Sequence, residues 1–201
     1  MAYTVNRAGF LRRTMVGGGS LVAAGTLVSA FAPSASGLAA PDVDLAGLRL
    51  LIGTELLALD FQAQALASGK LSATASAVFK KMRADEQAHY NGLADLLLQA
   101  GQTPATSDDI DFSYPAGSFG TEAAIVRLAD ELEALQLGAY IGANADVQTP
   151  RLRIAIGQIA ASEAQHAAAL AGLAGKPVIG RAFGPALRSD AVTVVLDNFE
   201  S

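Results

Sequence analysis

The sequence predicts an all-α protein, a four-helix bundle of two antiparallel helix hairpins joined by one long crossover. Three observations predict it. Alanine and leucine dominate a 201-residue chain that is 51% hydrophobic and only 6% aromatic, which favours helix over sheet. Four long stretches carry apolar residues at helical spacing. The breaks between those stretches are short, then long, then short, which pairs the helices into two hairpins.

Residues 1–40 read as a leader. Arg7, Arg12 and Arg13 make a basic start, an apolar Gly/Ala-rich run follows from Met15 to Phe31, and small residues lead to Pro41. Arg12-Arg13 is a twin-arginine pair, and Gly17, Gly18, Gly19 and Gly25 dilute the run, as in a Tat export signal. The usual Ser or Thr before the arginines is replaced by Leu11, and no Lys follows Val16. The run is about 17 residues, at the lower limit for spanning a bilayer. The expectation is a cleaved Tat-type signal, no stable membrane insertion afterwards, and a periplasmic, cell-envelope or extracellular location.

Residues 41–175 read as the bundle. Asp42 or Asp44 is expected to cap a first helix of about Leu45 to Ser68, with Leu48, Leu51, Ile52, Leu56 and Leu59 on its apolar side. Gly69 ends it. Ser72 is positioned to cap a second helix, about Ala73 to Ala100, which Gly101 closes. Residues 101–119 break the pattern with Pro104, Pro115 and the loop acids Asp108, Asp109 and Asp111. A third helix spans about Thr121 to Ala145 and a fourth Pro150 to about Leu173. Helices of about 25 residues are about 38 Å long, and about 19 extended residues reach about 60 Å, so the middle segment can run the length of the bundle. Residues 176–201, with Pro177, Gly180, Gly184 and Pro185, read as a tail wrapping the bundle, in which Val192 to Phe199 fits a short helix or a strand.

Composition narrows the chemistry. A net charge of −5 gives no electrostatic support for nucleic-acid binding. With no cysteine, neither a disulfide, a thiolate zinc site nor an iron–sulfur cluster can form. Both histidines stand three residues after a glutamate, in Glu86-Gln87-Ala88-His89 and Glu163-Ala164-Gln165-His166. Residues at i and i+3 share a helix face, so each motif aims a carboxylate and an imidazole the same way. Two such helices, each with a partner helix donating one more glutamate, form the ligand set of a dinuclear iron or manganese centre. The interval from Glu86 to Glu163 equals that from His89 to His166. Counted from Glu55, the only glutamate of the first helix, that interval lands on Leu132, between Glu131 and Glu133. Glu131 lies nearer the stripe of Leu128, Leu132 and Leu135, while Glu133 has Tyr140 seven positions on. Four ionised glutamates in an apolar core would cost many kcal/mol unpaired, and two divalent cations would neutralise them.

These segments resemble those of exported bacterial ferritin-like domain proteins, within the ferritin-like di-iron carboxylate superfamily and related to plant desiccation-related proteins. The resemblance runs from about Asp42 to Leu187. It is carried by Thr54-Glu55-Leu56-Leu57 through Phe61, the two Glu-x-x-His motifs, Leu132-Glu133, and Gly138-Ala139-Tyr140-Ile141-Gly142-Ala143. It implies metal ligation by Glu55, Glu86, His89, Glu133, Glu163 and His166, with Glu131 the alternative to Glu133. At one position the chain departs: Gln62 stands seven after Glu55, where those relatives usually have tyrosine. The activity expected is a di-iron or di-manganese oxidoreductase that oxidises ferrous iron or removes peroxide. The alternative is a non-enzymatic stress or desiccation protein with a structural or vestigial metal. Expected partners are metal ions and oxygen or peroxide, and a homodimer is the assembly allowed for.

Overall fold

The computed structural model describes residues 37–200, so nearly all of the expected leader lies outside the described residues. Among these there are five helices and no strand: α1 (Asp42–Ala67), α2 (Ala73–Gln99), α3 (Glu122–Asp146), α4 (Pro150–Leu173) and α5 (Ser189–Asp197). α1 packs chiefly on α2 and α3 on α4, and contacts of α1 with α3 and of α2 with α4 close the bundle. None of these helices is long and apolar enough to cross a membrane.

Two polar ties fix the helix directions. At the start of α1, Asp44 accepts hydrogen bonds from Gln148 N (3.0 Å) and Thr149 N (2.8 Å), between α3 and α4. At the α1–α2 turn, Ser72 N donates to Glu122, which begins α3. α1 therefore starts where α3 ends and ends where α3 starts. α2 finishes at the far end from the start of α3, so residues 100–121 must cross the whole bundle, about 40 Å for helices of 26 and 27 residues. The crossover is anchored on the way by Tyr90 Oη donating to Ala105 O (2.9 Å) and Tyr114 Oη donating to Asp60 (2.9 Å). Phe61 packs its ring against Tyr114 and Phe119.

The helix ends follow local chemistry with one exception. Ser72 and Thr121 accept from the N–H groups of Ala75 (3.2 Å) and Ala124 (3.1 Å), capping α2 and α3. Gly101, at φ +72°, lets α2 close with Gln102 N bonded back to Leu97 O (2.9 Å). Neither Asp42 nor Asp44 caps α1; Pro41 holds that position without a side-chain bond. Asp44 instead caps α4, whose own Thr149 makes no side-chain cap and whose free N–H groups attract a carboxylate. Burial alone would raise the Asp44 pKa, but the bonds from Thr149 and Gln148 and the charge of Arg153 outweigh it and lower the value.

Beyond α4 the chain returns across the bundle. Leu187 N donates to Gly138 O (2.9 Å), and α5 then seats Val192 and Leu196 against α1 and α3. The segment that fitted either a helix or a strand is helical to Asp197, and a single antiparallel bridge joins Glu200 to Phe112. The return is possible because α3 presents glycine. A Cβ on Gly142 would stand 1.9 Å from Leu187 O. Gly142→Ala is therefore expected to destabilise the protein by about 1–3 kcal/mol, although alanine favours a helix interior over glycine by about 1 kcal/mol. Urea unfolding measures the loss, and limited proteolysis should show earlier cleavage between Lys176 and Arg188.

Candidate metal centre

α2 and α4 present the same buried line. Met82, Glu86, His89 and Leu93 on α2 match Ile159, Glu163, His166 and Leu170 on α4, each following helical spacing along one face. The apolar members bury the helix faces and carry the polar pair into the core between them. α1 contributes Glu55, set among Leu51, Ile52 and Leu56, and α3 contributes Glu133, on a line with Ala129, Gln136 and Tyr140. The structure brings Glu55, Glu86, His89, Glu133, Glu163 and His166 together, and none is more than 5% exposed. Glu131 is exposed. Two residues turn a helix by about 200°, so when Glu133 faces the core Glu131 must face away.

The six side chains form two overlapping groups whose ligand atoms lie within 4.8 Å of one another: Glu55, Glu86, His89 and Glu163, and Glu86, Glu133, Glu163 and His166. Glu86 and Glu163 belong to both and are split between them. Glu86 Oε2 and Glu163 Oε1 lie 3.2 and 2.9 Å from His89 Nδ1, while Glu86 Oε1 and Glu163 Oε2 each lie 3.2 Å from His166 Nδ1. Glu55 Oε2 stands 3.8 Å from His89 Nδ1, and Glu133 Oε2 stands 3.6 Å from His166 Nδ1. The imidazole rings are 6.0 Å apart.

This arrangement fits divalent cations better than it satisfies itself. An imidazole nitrogen offers one proton or one lone pair, yet each Nδ1 faces three carboxylate oxygens. Glu55 Oε2 and Glu133 Oε2 are buried without a hydrogen-bond partner, and Glu163 Oε1 has only its poorly aligned contact with His89 Nδ1. The ion pairs among the described residues put no lysine or arginine against any of the six. A cation in each group would meet three carboxylate oxygens and one imidazole nitrogen, a hard donor set suited to iron or manganese.

Electrostatics in the absence of metal shows the same mismatch. Burial, then the charges of Glu86 and Glu163, pushes the Glu55 carboxyl well above its usual range. Burial also raises Glu133, only partly offset by the nearby His166 imidazole. For Glu86 burial is outweighed by hydrogen bonds from His166 and His89, which hold it well below the usual range. Burial opposes the charged form of His89, but the Glu163 and Glu86 carboxylates overcome it and raise the pKa to about 9. His166 is raised further still by Glu133, Glu163 and Glu86. Metal-free, the cluster thus favours the protonated forms of Glu55, Glu133 and both imidazoles.

Three residues support the ligands. Tyr140 Oη donates to Glu55 Oε1, as its place seven after Glu133 allows. Gln62 Nε2 approaches Glu86 Oε1 at 3.4 Å. His166 Nε2 donates to Asp85 Oδ2 at 3.2 Å, and Asp85 is also paired with Lys81. Sequence reasoning missed Asp85 because its helix neighbours give no hint that it reaches across to α4. Gln136, one turn beyond Glu133 and buried with both amide atoms unpaired, was missed as well, although its spacing placed it on the inner line.

Metal binding competes with the protons that the carboxyl and imidazole groups of the cluster hold, so binding should release a number of protons. Titration calorimetry in buffers of different ionisation enthalpy measures that number, and affinity is expected to fall steeply with falling pH. His89, raised to about 9 from its ordinary 6.5, stabilises the metal-free protein fully below about pH 6.5 and loses that contribution as pH rises towards 9. The metal-free melting temperature should accordingly decline over that window, and bound metal should remove the decline.

The comparisons bear on the fold and the family. No curated protein matches the chain in sequence. A hypothetical protein from Methanococcus jannaschii of known crystal structure superposes with a TM-score of 0.58 at 13% identity, covering 80% of this chain and 94% of the other, which is a likeness of fold. Residues 44–176 match the ferritin-like domain, a span that holds all four long helices bar the first residues of α1 and every member of the cluster. The chain belongs to the ferritin-like domain family.

Proposed function

We propose that the protein is an exported di-metal oxidoreductase, holding two iron or manganese ions and using them to oxidise ferrous iron or remove peroxide. One observation carries the reading: two overlapping buried groups in which Glu86 and Glu163 each turn one oxygen towards either histidine. Glu86 and Glu163 would bridge the two positions, Glu55 and His89 would complete one, and Glu133 and His166 the other. Bound iron or manganese supplies electron transfer to dioxygen or peroxide. The chain's own side chains fix the ligands, keep bulk water out and take up protons when metal leaves. Because the six ligands are so deeply buried, a reactant must be small enough to pass between helices, as dioxygen and peroxide are. Export rests on the Arg12-Arg13 pair and its diluted apolar run, and a Tat route would let the folded protein carry metal acquired in the cytoplasm.

The alternative is a non-enzymatic stress protein whose metal is structural, a role that complete burial of the ligands also serves. Stopped-flow mixing of the anaerobic ferrous protein with peroxide separates the two. Oxidation of about two ferrous ions per chain, lost in His89→Ala and in His166→Ala, is the expected result. Tightly held metal that does not react with peroxide or oxygen would favour the structural role.

A further inference from the structure

The ligands repeat between the two halves of the bundle, and their supports do not. Asp85 and Ser162 occupy equivalent positions, each immediately before the glutamate of a Glu-x-x-His motif. Asp85 accepts the hydrogen bond from His166 Nε2 at 3.2 Å and is itself held by Lys81. Ser162 has no carboxylate to offer, and all acidic contacts of His89 among the described residues run through Nδ1. A second pair of equivalent positions is also unlike. Tyr140, seven after Glu133, donates to Glu55, whereas Gln62, seven after Glu55, turns to Glu86 and leaves Glu133 Oε2 unbonded.

We propose that the two metal positions are unequal, and that the one formed by Glu133 and His166 binds its ion more tightly because Asp85 holds and polarises His166. The inference rests on the di-metal reading of the cluster. A carboxylate on the far nitrogen of a ligating imidazole fixes the ring's tautomer and orientation and makes the near nitrogen a stronger donor. It also places a negative charge close to the cation. On the other side, the Tyr140 hydroxyl draws electron density from Glu55 and weakens it as a donor, while no tyrosine hydroxyl is bonded to Glu133 Oε2. Both differences act in the same direction. Asp85 is thus a positioning residue, acting through His166.

The test is manganous ion alone, titrated into the metal-free full chain, with free manganese read by electron paramagnetic resonance. Two binding steps at least about tenfold apart are expected, since support residues of this kind alter affinity by about 10–100-fold. His166→Ala should remove the tight step and His89→Ala should spare it. Asp85→Asn should weaken the tight step by about 10–100-fold and leave the weak one in place. Ser162→Asp should narrow the gap by strengthening the weak step, a gain that a merely damaged protein does not give. Two equal steps in the unaltered chain, an Asp85→Asn variant that changes both steps or neither, or a Ser162→Asp variant with an unmoved weak step would overturn the proposal. Failure of the unaltered chain to bind manganese or iron at all would instead overturn the di-metal reading beneath it.

Discussion

Four carboxyl groups and two imidazoles share the centre of this bundle, and the repulsion among the carboxylates is the constraint around which the rest is arranged. Transfer of an ionised carboxylate into a protein interior carries a penalty of several kcal/mol even after relaxation. The metal-free protein meets it by favouring the protonated forms of Glu55 and Glu133 and by setting the imidazoles against Glu86. That state is balanced but poorly bonded, because three buried carboxylate oxygens make no well-aligned hydrogen bond. Divalent cations would resolve both difficulties at once, which ties the energetics of the fold to the chemistry proposed for it.

The scaffold answers that constraint by repetition. Each hairpin carries one buried glutamate on its first helix and a Glu-x-x-His on its second, and the antiparallel meeting of α1 with α3 brings the halves face to face. The crossover makes this possible by restarting α3 at the end where α1 stops, and its aromatic anchors Tyr114 and Phe119 lock it to Phe61. At the opposite end Asp44 joins the start of α1 to the entrance of α4, so one buried carboxylate sets the relation of the two hairpins. Leu187 and α5 cover the α1–α3 face, which only glycines at 138 and 142 leave open to a passing backbone.

Much of this was legible in the sequence, and the exceptions have physical causes. Helix faces and ends were readable because Ser72, Gly101 and the apolar spacing act locally. Asp44 was misread as a cap of its own helix because its partners lie over a hundred residues away, where no local pattern records them. Glu131 and Glu133 were indistinguishable by interval because the step from Glu133 to Glu163 is one residue shorter than that from Glu55 to Glu86, which shifts the repeat in α1 and α3 relative to that in α2 and α4. The family resemblance favoured Glu133, and the helix turn places that residue inside and Glu131 outside. Asp85 could not be read at all, since a half-exposed acid beside Lys81 looks like an ordinary surface pair until α4 is laid against it.

The central claim is that the buried carboxylates and imidazoles exist to hold two cations. Anomalous diffraction at the manganese edge, from crystals of the protein grown with manganous ion, tests it most directly. The account predicts two peaks inside the bundle, one bounded by Glu55 and His89 and the other by Glu133 and His166, with Glu86 and Glu163 between them. A metal-free interior under those conditions, with the same side chains still folded inward, would contradict it.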